Sequence, residues 1–261
     1  MKELLNRIKG KWSIVLKVLP LLIVVVVLKI VIHMLSFEVL DLNNFFTTLV
    51  AGVIFLLGFL IAGVLSDYKE SEKLPSYITS SFEALFDESR ALFRGRNSET
   101  AKKFIEYQKV FISSLTDWFY EKETTQSILN KLSKMSDFLA GFVSEGVEAS
   151  YVTIMENNLT DLRSAILRAA TIRDTEFVSP AYIIVEIMGL LLSFVMLFIK
   201  IEPLWGAIFY NVLTALLIFY VLFLMMDLDN PFEYSTKGEG GTEIPLDQIY
   251  DLKSRVEEFK L

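Results

Sequence analysis

Apolar positions in this chain come in long blocks separated by polar ones. Ile14 to Leu35 is one block, Phe45 to Ser66 a second without a single charged residue, and Pro180 to Met226 a third. About 20 apolar residues at 1.5 Å each cross the roughly 30 Å of a bilayer core. The pattern therefore predicts four transmembrane helices, Ile14–Leu35, Phe45–Ser66, Ala181–Ile199 and Trp205–Met226. The first run is too long for the 7–15-residue core of a signal peptide and no small-residue cleavage site follows it, so it reads as a retained span. Pro20 lies in its early turns, where a membrane helix tolerates a kink. The stretch FLLGFLIAGVLSDYKESEKLP, Phe55 to Pro75, turns from apolar to charged at Asp67 and is expected to form one helix leaving the bilayer for water. Gly52, Gly58 and Gly63 lie along it, as small residues do where membrane helices approach closely.

Between Asp67 and Ser179 the period becomes that of amphipathic helices. Phe104, Tyr107, Val110, Phe111, Leu115, Trp118 and Phe119 fall on one stripe. Ile128, Leu132, Met135, Phe138, Leu139 and Phe142 make a second, and Val147, Tyr151, Ile154, Leu162 and Ile166 a third. Breaks are expected across Arg94-Gly95-Arg96-Asn97-Ser98, and at Gly141 and Gly146. A bundle of about four helices results, and Trp118 and Tyr120 read as its core and not as a ligand cage. After Met226 a loop rich in Asp, Pro and Gly leads to a short amphipathic helix, Leu246–Phe259. The fold class is an all-α membrane protein whose helical bundle lies between spans two and three. Its divisions are 1–66, 67–179, 180–226 and 227–261.

Charge orients these parts. Lys2, Arg7, Lys9 and Lys11 precede the first span, whereas the connector SFEVLDLNN carries Glu38 and Asp41 and no basic residue. The positive-inside rule places both termini and the bundle in the cytoplasm, in an integral protein of the plasma membrane. Tyr182, Lys200 and Trp205 suit interfacial anchors. Lys29 and His33 read either as snorkelling to the interface or as charges at a pore mouth. Glu186 and Asn211 are polar exceptions inside spans; the carboxylate fits a structural salt bridge or a functional role.

Composition narrows the chemistry. A net charge of -7 without a basic cluster argues against a nucleic-acid partner. With no cysteine and one histidine, neither a nucleophile–histidine pair nor a His/Cys metal site can be assembled. Gly238, Gly240 and Gly241 lack the Lys-Ser/Thr of a phosphate loop. Glu70 with Glu72, or Asp227, Asp229 and Glu233, read as solvated faces or helix ends before they read as a cation site. No catalytic residue, metal or cofactor is expected.

Two motifs carry a family resemblance. Leu57-Gly58-Phe59, followed by Tyr68, Glu70 and Leu74, resembles the second transmembrane helix of bestrophins and their microbial relatives. Asn230-Pro231-Phe232 followed by Pro245-Leu246-Asp247 is similar to the pair that closes the bestrophin core. The resemblance implies a homopentameric ion channel in membrane lipid, passing inorganic ions, anions such as chloride by the family's main habit, although the family includes cation-conducting members and the selectivity stays open. Copies of the second helix would line a hydrophobic neck above a wider cytoplasmic vestibule. The family's neck positions fall on Ala51, Phe55 and Phe59. These positions, i, i+4 and i+8, do share one helix face. The alternative reading is that both phenylalanines are simply helix–helix or lipid contacts.

The chain departs from the family in three places. Glu72 stands where microbial members carry arginine, and Ala51 where the neck has a larger aliphatic. Glu233-Tyr234-Ser235-Thr236-Lys237-Gly238 replaces the dense acidic run of the animal calcium clasp, so that clasp is not expected. A membrane-anchored scaffold or sensor, its bundle docking a partner and conducting nothing, is the alternative function.

Overall fold

The computed structural model describes residues 2–175, 179–234 and 242–261. The side chains before Trp12, Lys2, Arg7, Lys9 and Lys11 among them, and the glycines at 238, 240 and 241 lie outside the described residues. The helices are α1 (Lys2–Met34), α2 (Asn44–Ser71), α3 (Leu74–Arg96), α4 (Glu99–Phe119), α5 (Thr125–Ser144), α6 (Ala149–Asp174), α7 (Ser179–Leu197), α8 (Leu204–Asp229) and α9 (Asp247–Glu258). Two short strands, β1 (Leu40–Asp41) and β2 (Ile199–Lys200), pair in parallel with Leu40 opposite Ile199, an addition to the all-helical expectation. The third apolar helix accordingly stops at Leu197, because Ile199 is taken into β2.

The chain folds as two compact units. The first holds α1, α2 through Tyr68, α7 and α8; the second runs from Lys69 to Thr175 and takes in Pro231 to Tyr234 and Glu243 to Leu261. Three helices of the first unit, α1 from Trp12, α2 and α8, are long and apolar enough to cross a membrane, and α7 is a shorter apolar helix. The chain is an integral membrane protein.

In the first unit α1 and α7 pack on α8. Val53, Leu57, Leu60 and Val64 of α2 join Val185 and Leu192 of α7 and Ile218 and Leu222 of α8 in one apolar cluster. Helices α7 and α8 come close at Gly189, where an added Cβ would stand 2.7 Å from the Ile218 side chain. At Gly52 and Gly58 nothing lies within 4 Å of such a Cβ, so those glycines serve no close approach within the chain.

The second unit is a bundle of amphipathic helices. Phe82, Phe104, Phe111, Trp118, Phe119 and Phe142 are buried in its core. The expected stripes are its inner faces, except that Val110 and Ile154 point outward. The break after α3 falls as expected: Asn97 is left-handed at φ 53°, and the Ser98 hydroxyl caps α4 by accepting from Ala101 N at 2.9 Å. Gly146 turns the chain between α5 and α6 at φ +72°, a conformation that favours glycine. Gly141 is not a break. It lies inside α5, where a Cβ would come 2.8 Å from Thr100, so the small residue lets α4 and α5 approach.

Candidate functional site

Helix α2 has two unlike faces. Leu57 is 1% exposed and Val53, Leu60 and Val64 are buried with it, whereas Phe55 is 76% and Phe59 69% exposed. Ala51 is exposed on the same side as the two phenyl rings. Burying an aromatic side chain from water is worth about 1.5–3 kcal/mol, so an aqueous protein would not leave both rings open. Those three positions make an unpartnered apolar stripe, and no charge stands on α2 from Asn44 to Ser66. Beside it, Phe45, Thr48, Leu49, Gly52, Val53, Leu56 and Met188 line an apolar groove of about 340 Å³.

The helix keeps its polar groups at its ends. At the start, Asn43 Oδ1 accepts from Phe46 N at 2.9 Å, and the hydroxyls of Thr47 and Thr48 both donate to the Asn44 carbonyl, at 3.0 and 2.8 Å. The other end stops at Ser71, short of the expected Pro75, because the chain turns at Glu72–Lys73 before α3 begins. Tyr68 is half-buried on the first unit's core. In the second unit Glu70 takes a two-pronged bond from Arg168, at 2.8 and 2.6 Å. That hydrogen bond, opposed by partial burial and helped by the arginine charge, holds its carboxyl below the ordinary value. Leu74 is buried.

The second motif closes on itself. Asn230 caps α8, and the Pro231 carbonyl accepts from Ile244 N at 3.1 Å. Phe232 is 1% exposed and lies 5.9 Å from the Phe119 ring. Pro245 is exposed, Leu246 is fully buried, and Asp247 opens α9 as an acidic first-turn residue. Phe232 and Leu246 therefore anchor the chain to the second unit's core.

The feature that sequence reasoning missed sits between the connectors of the first unit. Lys29 does not snorkel. It is fully buried, and its ammonium donates to the carbonyls of Leu197 and Ile199 at 3.0 and 2.8 Å and pairs with Glu38 Oε1 at 2.7 Å. Glu38 Oε2 meets His33 Nδ1 at 2.9 Å. Burial raises the Glu38 carboxyl, but the hydrogen bonds and charges of Lys29 and His33 outweigh it and leave it below the ordinary value. Opposite charges nine positions apart across a helix end were the available signal; the acidic connector hid it by suggesting orientation alone. Asn211 is also buried, donating to Ala207 O at 2.8 Å, while half-buried Glu186 has no ion pair among the described residues.

The comparisons with known proteins decide the family. A family model described as a Bestrophin-like domain matches residues 14–235. The chain belongs to the bestrophin-like family. Crystal structures of variants of a bacterial bestrophin homolog from Klebsiella pneumoniae share the fold of this bestrophin-like chain. One matches with a TM-score of 0.78 at 15% identity over 94% of this chain and 97% of that one. Another gives 0.77 at 14% identity, over 94% and 98%. The crystal structure of a membrane protein carrying a serine-to-alanine substitution matches at 0.73 with 16% identity, over 92% and 95%. Comparison with curated proteins gives no match. The members of this family are known as ion channels and not as enzymes.

Proposed function

We propose that this bestrophin-like chain is an oligomeric ion channel, a homopentamer with one central pore lined by α2. Its four apolar helices α1, α2, α7 and α8 span the plasma membrane, with both termini and the helical unit in the cytoplasm. Ala51, Phe55 and Phe59 form the neck. The observation that carries this reading is the pair of phenyl rings standing open on α2 opposite its buried face. Symmetric copies around an axis would bring such rings together, which one chain cannot do alone. A ring of apolar side chains passes or stops ions by wetting and drying, and needs no charge at the constriction. The permeant ion expected from the family is an anion such as chloride. No catalytic group or cofactor enters, and lipid covers the remaining apolar surface.

Flux through liposomes containing the purified chain tests this reading. Phe55→Ala with Phe59→Ala widens the neck and is expected to leak several-fold more than wild type. A monomer or dimer in detergent, or no flux of anions or cations from either protein, sinks it and favours the non-conducting scaffold.

A further inference from the structure

Three ionisable side chains of the first unit have no part in the proposed pore. Lys29 and His33 stand four residues apart near the end of α1 and so share one helix face. Beyond α1 the chain turns back: Ser36 is left-handed at φ 54°, and the amides of Ser36 and Phe37 donate to the carbonyls of His33 and Ile32, both at 3.0 Å. The turn carries Glu38 onto that face, one oxygen 2.7 Å from Lys29 Nζ and the other 2.9 Å from His33 Nδ1. Lys29 also holds the carbonyls of Leu197 and Ile199, and the Leu40 amide donates to Phe198 O at 3.1 Å where β1 joins β2. One carboxylate thus ties the end of α1 to the connectors before α2 and before α8.

The three differ in exposure. The side chains of Lys29 and Glu38 are 0% and 8% exposed, whereas that of His33 is 42% exposed. Facing a carboxylate, His33 Nδ1 must carry a proton, so Nε2 is where a second one binds. Gaining it turns a neutral hydrogen bond into a charge-assisted one, roughly twice as strong. The carbonyl end of α1 favours the same positive charge. From the neighbouring elements come the exposed Asp41 of β1 and the Lys200 of β2, which pairs with Glu202 at 3.1 Å. The first titratable residue of α8 is the exposed Tyr210; those of α7, Tyr182 and Glu186, lie toward its other end, and α2 has none before Asp67. Histidine is the side chain whose charge ordinarily changes between about pH 5 and 8. Glu38, held below the ordinary carboxyl value, stays ionised across that range.

We propose that this junction is a pH-sensitive clasp: protonated His33 locks the two connectors together, and loss of that proton loosens them. The clasp lies within one chain and does not depend on the pore proposed above. Its sign follows from the charges. The added cation strengthens the clasp on the acid side of the range, and this contribution is lost as pH rises. Hydrogen exchange at the Leu40 amide of the full chain in detergent, corrected for the intrinsic pH dependence of exchange, tests the proposal by reading how often β1 leaves β2. Wild-type protection should fall roughly twofold to fivefold from about pH 5 to 8, the scale of a partly exposed ion pair. His33→Gln, which cannot take the charge, should stay at the wild type's alkaline level throughout. His33→Lys, a fixed cation, should stay at its acid level. Wild-type protection that ignores pH, or a pH dependence that either variant retains, overturns the proposal.

Discussion

Val110 on α4 and Ile187 on α7 are equally exposed, each at 58%, yet they sit in opposite settings. Around Val110 the exposed positions of α4 are the charged Glu99, Lys103 and Glu106, and the phenylalanines and the tryptophan of the second unit are buried or half-buried. Around Ile187 the outward positions are Ile183, Ile184, Leu190, Leu191 and Phe194, all exposed. Both units bury polar side chains, but only the first, among the described residues, encloses a lysine, Lys29, with its carboxylate partner Glu38. One sequence thus carries two patterns, which fit the proposed setting of the first unit in lipid and the second in water. Where water is outside, apolar burial drives packing. Where hydrocarbon is outside, buried polar groups must satisfy one another, and small residues such as Gly189 set the close contacts.

The strongest way to break this comparison is at Lys29. Removing one partner of a buried pair strands the other charge, a loss of about 3–5 kcal/mol. Lys29→Met should therefore destabilise the first unit by that amount in denaturant unfolding of the detergent-solubilised chain. Adding Glu38→Gln should recover most of it, since the stranded carboxylate is then gone. A single substitution costing under about 1 kcal/mol, the scale of a surface pair, would mean that this pair is not enclosed.

Val110 and Ile187 supply the direct contrast. Lysine at the centre of a membrane helix costs about 2.5–3.5 kcal/mol, whereas a lysine on an aqueous helix surface changes stability by less than about 0.5. Ile187→Lys should thus lower the yield and melting temperature of the membrane-inserted chain, and Val110→Lys should leave both in place. Equal effects from the two substitutions would erase the distinction between the units.

Much of this division is legible in the sequence, for a physical reason. Hydrocarbon and water each impose a period, and the change from an unbroken apolar run to stripes at i, i+3, i+4 falls where the units divide. Ser98 was readable as a cap because its chemistry is local. Gly141 was not, because what requires a small residue there is Thr100 on another helix. The exposed stripe of Phe55 and Phe59 was open to two readings, since an apolar run has no polar side to orient it; only the burial of Val53, Leu57 and Leu60 separates the faces. Lys29 was misread because nothing within α1 reveals carbonyls at Leu197 and Ile199, which reach it through the β1–β2 pairing.

The finest distinction concerns two carboxylates of the water-facing unit. Glu88 on α3 is half-buried, and its nearest hydrogen bond is a long one of 3.4 Å from Asn158. Burial pushes its carboxyl up, Asn158 pulls it back, and the charge of Asp87 adds to the rise. Between the ordinary value of 4.5 and that raised value, the folded chain holds a proton that the unfolded chain has released. Stability then falls as pH climbs through this window and stays lower above it. Glu70, lowered by Arg168, works in the other direction: its contribution is present above 4.5 and is lost as pH falls through its lowered value. Glu88→Gln should abolish the decline above 4.5 and leave the second unit slightly more stable than wild type at neutral pH. Glu70→Gln should lower stability above 4.5, where the Arg168 pair contributes, and remove the loss that this pair gives wild type as pH falls below it. Thermal melts of the full chain across this pH range check both, and a wild-type stability that rises with pH above 4.5 would mean that Glu88 is solvated like the carboxylates around it.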